Sequence, residues 1–234
     1  MQRERLSAHS PDWIEDVETL GASPLIIIAN EFFDALPVRQ FVRREGKWYE
    51  RSVGLADGQR VFGLSPTPYQ EALIGEAFAS AEDGEVAEIG LAGQQFMGQL
   101  CRLLGPRGGA MLTIDYGYAH TQPGETLQAL ARHAPVDPLA QPGAADLTTH
   151  VDFEALGRAG RMAGLTVHPI VTQGSFLTSL GLAERHSALA TANPQKAASL
   201  ASAFDRLTRA DQMGELFKVL CAASPGLRPA GFPA

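Results

Sequence analysis

The stretch LIIIANEFFDALPVRQF, residues 25–41, constrains this chain more than any other. Pro24 introduces a run of five apolar residues, three of them isoleucine. A short, continuous, β-branched run suits a strand covered on both faces, as in a parallel sheet. Its exit is unusual. Strand ends ordinarily offer Gly, Asn, Asp or Ser, whereas here Glu31 and Asp34 bracket Phe32 and Phe33. Two readings stay open at this level. The rings plug the end of a sheet, or Asn30 and the two acids face a ligand while the rings form an apolar wall.

The same construction recurs in AMLTIDYG, residues 110–117, a second apolar run that delivers Asp115 and Tyr116. Between the two, QFVRR, KWYERSV and QRVFGL alternate and are separated by Glu45-Gly46 and Asp57-Gly58, which are hairpin signals. They carry Arg43, Arg44, Lys47 and Arg51, too many charges for strands covered on both sides. Residues 39–64 are therefore expected as an antiparallel meander, a small lobe inserted beside the main sheet. Residues 2–9 read as the end of a helix. Further helices are expected over 69–81, 91–104, 153–163 (capped by Asp152), 175–189 and 194–209, and strands over 85–89, 165–171 and 215–222. Residues 118–147 show little periodicity and read as a long functional loop, and 224–234 as a flexible tail. Strands alternating with helices, with acids at strand ends, predict an α/β fold with an open, doubly wound sheet that binds ligands at the carboxyl ends of its strands. Residues 25–29 and 111–114 are then neighbouring parallel strands, with Asn30 and Asp115 at one rim.

Length and charge narrow the function. A chain of 234 residues fits one domain, 1–234, able to bury an α/β core without disulfides or metal. A net charge of −7 argues against a nucleic-acid surface, which needs a basic stripe. Cys101 and Cys221 have no partner at metal-ligand spacing, so no metal site is expected and a reducing, cytoplasmic setting is the simplest. The first residues, MQRERLSAHSPDW, lack the apolar core of a signal peptide, and no segment is long and apolar enough to predict a membrane span. His150 reads as a capping or packing residue more readily than as a general base. His133 and His168 have weaker claims, and Asp146 and Asp152 read as turn and cap.

ANEFFDALPVRQF resembles the signature of the MidA-type methyltransferases, and GGAMLTIDYGY, TLQAL, DPLAQPGAADLTTHVDF, QGSFLTSLG and MGELFKVL are similar to that family in the same order, from about Leu25 to Leu220. The resemblance implies a partial Rossmann-like class I methyltransferase sheet, mainly its C-terminal half. It also implies S-adenosyl-L-methionine as cofactor and a protein substrate, since mitochondrial members methylate an arginine of a respiratory complex I subunit. A guanidinium is protonated and delocalised at neutral pH, so its nitrogen is a poor nucleophile until carboxylates grip and orient it and rings stack on it. On this resemblance Glu31, Asp34 and Asp115 take the catalytic roles. Phe32, Phe33 and Tyr116 take the substrate wall, and Asn30 and Pro37 the cofactor side.

One departure stands out. The glycine-rich turn that lets a backbone approach the cofactor belongs upstream of NEFFDALP, where this chain has only some twenty-odd residues. The nearest imitation is EIGLAG, Glu88 to Gly93, which lies downstream, has Ala92 in place of a middle glycine, and reads as an ordinary strand-helix junction. The first two strands of the family sheet are expected to be missing, the chain alone to bind S-adenosyl-L-methionine very weakly, and the bare sheet edge to favour self-association. The alternative is a non-catalytic remnant or assembly partner that keeps only the substrate-facing surface.

Overall fold

In the computed structural model, which describes residues 2–132 and 134–233, the two apolar runs pair as expected. A short helix α1 (Gln2–Arg5) precedes β1 (Leu25–Asn30). Then come β2 (Arg39–Arg44), β3 (Lys47–Ala56), β4 (Gln59–Leu64) and β5 (Val86–Ile89), followed by helix α2 (Leu91–Arg107) and β6 (Gly109–Tyr118). Strands β7 (Gln128–Ala131), β8 (Ala134–Val136), β9 (Asp146–Thr148) and β10 (Val151–Asp152) lead into α3 (Phe153–Met162). Strands β11 (Thr166–Val167) and β12 (Val171–Thr172) precede helices α4 (Gln173–Ser179), α5 (Leu182–Ala192), α6 (Ala197–Thr208) and α7 (Met213–Leu216), and β13 (Phe217–Ala223) is last.

The main sheet runs β1-β6-β13-β11, with β10 added to β6 and β12 to β13. β1 and β6 are parallel, Ile27 opposite Met111 and Asn30 opposite Ile114, so the two carboxyl ends share a rim. β13 lies antiparallel to β6, which makes the sheet mixed. Helices α2 and α3 cover one face: Met97, Leu100, Cys101 and Leu104, spaced for a single helical stripe, bury against Met111, Phe153 and Leu156. The other face of β1 is bare, contrary to the expectation of a strand covered on both sides. Ile26 is 85% exposed and Ile28 66%, and β1 is also an edge of the sheet.

Residues 39–64 pair with β5 in a separate four-stranded antiparallel sheet, ordered β4-β3-β2-β5. It has its own core of Phe41, Trp48, Ile74, Phe78 and Ala87. The helix expected over 69–81 is instead two single 3-10 turns, Glu71–Leu73 and Glu76–Phe78. Gly75 between them has φ of 103°, which no helix accommodates.

Three further elements differ from the sequence reading. The loop expected at 118–147 contains most of a three-stranded sheet, β8-β7-β9. The strand expected at 165–171 is broken at His168 to Ile170, where Pro169 interrupts the pairing with β13. Val167 faces Ala222 but Val171 faces Val219, so one extra residue bulges out. The helix expected at 175–189 becomes α4 and α5, separated by Gly181 with φ of 86°. Residues 224–233 hold no helix or strand, yet Phe232 packs its ring 5.3 Å from that of Phe176.

Candidate substrate site

The turn after β1 is built on one carboxylate. Glu31 has φ of 46°, a left-handed conformation that reverses the chain. The amides of Phe32, Phe33 and Asp34 then all point at Oδ2 of Asp115, donating to it at 3.1, 3.1 and 3.3 Å. Its other oxygen accepts from the amide of Tyr116 at 3.0 Å. Asp115 can do this because β6 continues past it to Tyr118. Strand alternation places it with Met111 and Thr113 on the helix-covered face, wholly buried. Burial, and then the charge of Asp34, push its carboxyl up to about 7, against the pull of the amides that donate to it.

Next to this turn lies an open cavity of about 700 Å³, lined among others by Glu31, Asp34, Tyr116, Asp146, Thr148 and His150. Asp34 is buried. Its Oδ2 accepts from the Tyr116 hydroxyl at 2.5 Å, while its Oδ1 is buried with no partner among the described residues. An unpaired buried carboxylate oxygen is costly and calls for a donor. The Tyr116 ring meets Phe217 at 5.4 Å and His150 at 5.7 Å, both edge-on. Burial raises the Tyr116 hydroxyl pKa, and the bond to Asp34 adds to this. Burial also lowers the pKa of His150, with Lys218 acting in the same sense and Glu88 opposing, so the imidazole is neutral at neutral pH. Carboxylates beside aromatic rings in a part-buried cavity suit a planar organic cation.

The structure brings Glu31, Asp34 and Tyr116 together at this cavity and leaves the other sequence candidates outside its lining. Asp115 reaches it only through the turn it holds and through Tyr116. Phe33 is in the core under α2. Phe32 meets Phe33 edge-on at 5.3 Å and lies at a tilt against Phe96 of that helix at 5.2 Å. Asn30 is exposed at the end of β1. Pro37 lines a separate crevice with Phe33, Gly90 and Gly93, so the two residues expected on the cofactor side are not neighbours in one site. His133 lies outside the described residues, and His168 packs against Phe232 at 5.8 Å. Asp146, read from the sequence as a turn residue, instead opens β9 and lines the cavity; Thr148 and Phe217 have no sequence signal beyond membership of the DLTTH and MGELF stretches.

The donor set also tests the cofactor. In EIGLAG, a Cβ on Gly93 would meet Phe33 Cδ1 at 3.4 Å and one on Gly90 would meet Val38 Cγ1 at 3.7 Å. Both are ordinary van der Waals distances, and the crevice that these glycines line with Pro37 holds only about 40 Å³, far less than a small-molecule site of roughly 300 Å³ or more. EIGLAG therefore does not form a cradle for S-adenosyl-L-methionine. Among the described residues no group of three His, Cys, Asp or Glu is placed to hold a metal ion, and no helix is long and apolar enough to cross a membrane.

Comparison with known proteins agrees with the residues. A family model described as "Putative S-adenosyl-L-methionine-dependent methyltransferase" matches residues 1–171. The mitochondrial protein arginine methyltransferase NDUFAF7 of Danio rerio is 33% identical over 212 residues, 88% of this chain and 49% of that protein. The Drosophila melanogaster homologue is 33% identical over 229 residues, 92% of this chain and 50% of its own length. A COG1565 superfamily member from Burkholderia thailandensis, solved bound to S-adenosyl-homocysteine, superposes with a TM-score of 0.84 at 28% identity, covering 98% of this chain and 62% of that one. This chain thus spans about half the length of the curated relatives it matches. With the family model covering well over half of its residues, the chain belongs to this family of S-adenosyl-L-methionine-dependent methyltransferases.

Proposed function

We propose that this chain supplies the substrate-holding wall of a protein arginine methyltransferase, with Glu31, Asp34 and Tyr116 receiving the guanidinium. The observation that carries the reading is the buried, unpartnered Oδ1 of Asp34 at an acidic, aromatic cavity. Guanidinium offers donors in a planar fork that a carboxylate accepts side by side, and the rings of Tyr116 and Phe217 suit its faces. The names of the relatives support arginine as the methylated residue. A subunit of a respiratory complex in a cytoplasmic setting is the substrate this reading favours.

A peptide with one arginine between glycines, titrated against the chain by calorimetry, tests it. Binding should weaken at least about tenfold when citrulline replaces arginine, and similarly for Asp34→Asn, because a charge-assisted bond is worth about 1.5–3 kcal/mol. Equal binding of both peptides would sink the reading. A second reading is favoured by the small crevice at EIGLAG, which is too tight for the cofactor: the chain by itself binds substrate without turning it over. S-adenosyl-L-methionine should then bind the isolated chain only at about millimolar or weaker, since several absent hydrogen bonds cost about 1 to 3 kcal/mol each. A micromolar dissociation constant would overturn it.

A further inference from the structure

Glu88 opens the EIGLAG stretch, which the site described above leaves without a role. It sits on β5 of the small lobe, with only 6% of its surface exposed. Among the described residues no cation forms an ion pair with it. Its carboxylate instead accepts from Gln40 Nε2 at 2.7 Å, from the Thr126 amide at 3.1 Å, and from the Thr126 hydroxyl. The Thr126 Oγ1 in turn accepts from the amide of His150 at 2.9 Å. The bonds run in one direction, from the His150 amide to the Thr126 hydroxyl to the Glu88 carboxylate. The acceptor at the end of this relay takes the hydroxyl proton, which fixes the rotor so that a lone pair of Oγ1 faces the His150 amide.

Neighbouring bonds tie the same segment down. The Gly124 amide donates to Val86 O at 2.8 Å, and Arg51 of β3 bridges Gln40 and Glu125. On the far side the Thr149 amide donates to Asp34 O at 3.0 Å. Residues 124–126 and 149–150 are thus stitched between the small lobe and the turn that carries Asp34, and His150 faces the cavity from that stitch.

We infer that Glu88 is a positioning residue for the substrate site, setting the place of His150 and of the adjoining cavity wall through the Thr126 hydroxyl. The role rests on the reading of the cavity as a guanidinium site. A glutamine at 88 keeps one acceptor oxygen, but its NH₂ group must then face either the Thr126 hydroxyl or the Thr126 amide and Gln40, all donors to Glu88. Either way Thr126 loses a bond that fixes it, and its grip on the His150 amide loosens.

Three variants of the chain test this, Glu88→Gln, Thr126→Val and Thr126→Ser, each read by amide hydrogen exchange, by NMR titration of the His150 ring, and by binding of the one-arginine peptide. In Glu88→Gln and Thr126→Val, exchange at His150 should quicken by about tenfold and peptide affinity should fall by a similar factor, the loss expected for one buried hydrogen bond. Exchange in the paired residues of β1 and β6 should not change. Thr126→Ser keeps the hydroxyl and should behave as wild type. The His150 ring should titrate lower in Glu88→Gln alone, because Glu88 favours its protonated form against burial and Lys218. Should Glu88→Gln fail to fold, the Thr126→Val and Thr126→Ser pair carries the comparison. Wild-type affinity and His150 exchange in Thr126→Val would overturn the inference, as would a uniform rise of exchange across both sheets, the mark of a purely structural residue. The citrulline peptide keeps the two questions apart: if wild type does not distinguish it from arginine, the guanidinium reading fails while the exchange at His150 still judges Glu88.

Discussion

At the scale of single residues, Asp115 shows how one side chain can organise a site that it does not line. Replacing it with alanine leaves three turn amides in the interior without their acceptor. At about 1–3 kcal/mol for each group left unsatisfied, Asp115→Ala should lower stability by about 3 kcal/mol or more, measured by urea unfolding. Asp115→Asn keeps one acceptor oxygen and should cost less. The pH dependence has a definite sign. The folded carboxyl titrates at about 7 against an ordinary value of 3.8, so the native state holds its proton more tightly than the unfolded chain. The contribution is complete below about pH 4 and is lost as pH rises through about 7. The stability gap between wild type and Asp115→Asn should therefore shift towards the variant over that interval; a gap that stays constant would show Asp115 ionised throughout. Tyr116→Phe, which strips Asp34 Oδ2 of its donor, should cost about 1–3 kcal/mol by the same measurement.

Among the elements, those legible in the sequence were the ones long enough to show a period. β1 and β6 stood out as apolar runs, the hairpins of 39–64 as alternation around Glu45-Gly46 and Asp57-Gly58, and α3 by its cap, where Asp152 Oδ1 accepts the Ala155 amide at 2.9 Å. Asp152→Ala should cost about 1 kcal/mol in a thermal or urea melt. The strands of two to four residues in β7 to β10 were too short to read, because their pairing depends on partners distant in sequence rather than on local pattern, and β11 and β12 read as a single strand. The candidate site was half legible for the same reason. Glu31, Asp34 and Tyr116 follow from the two strand ends. The direction in which Phe32 and Phe33 leave the turn depends on the positive φ of Glu31, and the place of Asp115 on how far β6 runs beyond it, and neither has a local signature. One close approach fixes where the pocket wall joins the sheet. A Cβ on Gly117 would sit 2.1 Å from the carbonyl oxygen of Val151. Gly117→Ala should pry β10 from β6 and make the segment around His150 a new site of limited proteolysis, with cleavage unchanged if the contact is dispensable.

For the whole molecule the dominant fact is an asymmetry: one face of the main sheet lies under α2 and α3, while Ile26 and Ile28 stand open on the other beside an unpaired edge. Lysine at both positions should change unfolding free energy by no more than about 0.5 kcal/mol, as for other surface changes. Met111→Ala on the covered face should cost about 2–5 kcal/mol. If the edge drives self-association, sedimentation should show Ile26→Lys/Ile28→Lys monomeric at concentrations where wild type is not. The same bare strand has a meaning inside a cell that has nothing to do with methyl transfer. Open β-branched surface beside free backbone groups is what chaperones and proteases read as an unfinished protein. A partner that covered β1 would therefore lengthen the survival of the chain after synthesis, and its abundance would then report whether that cover is in place.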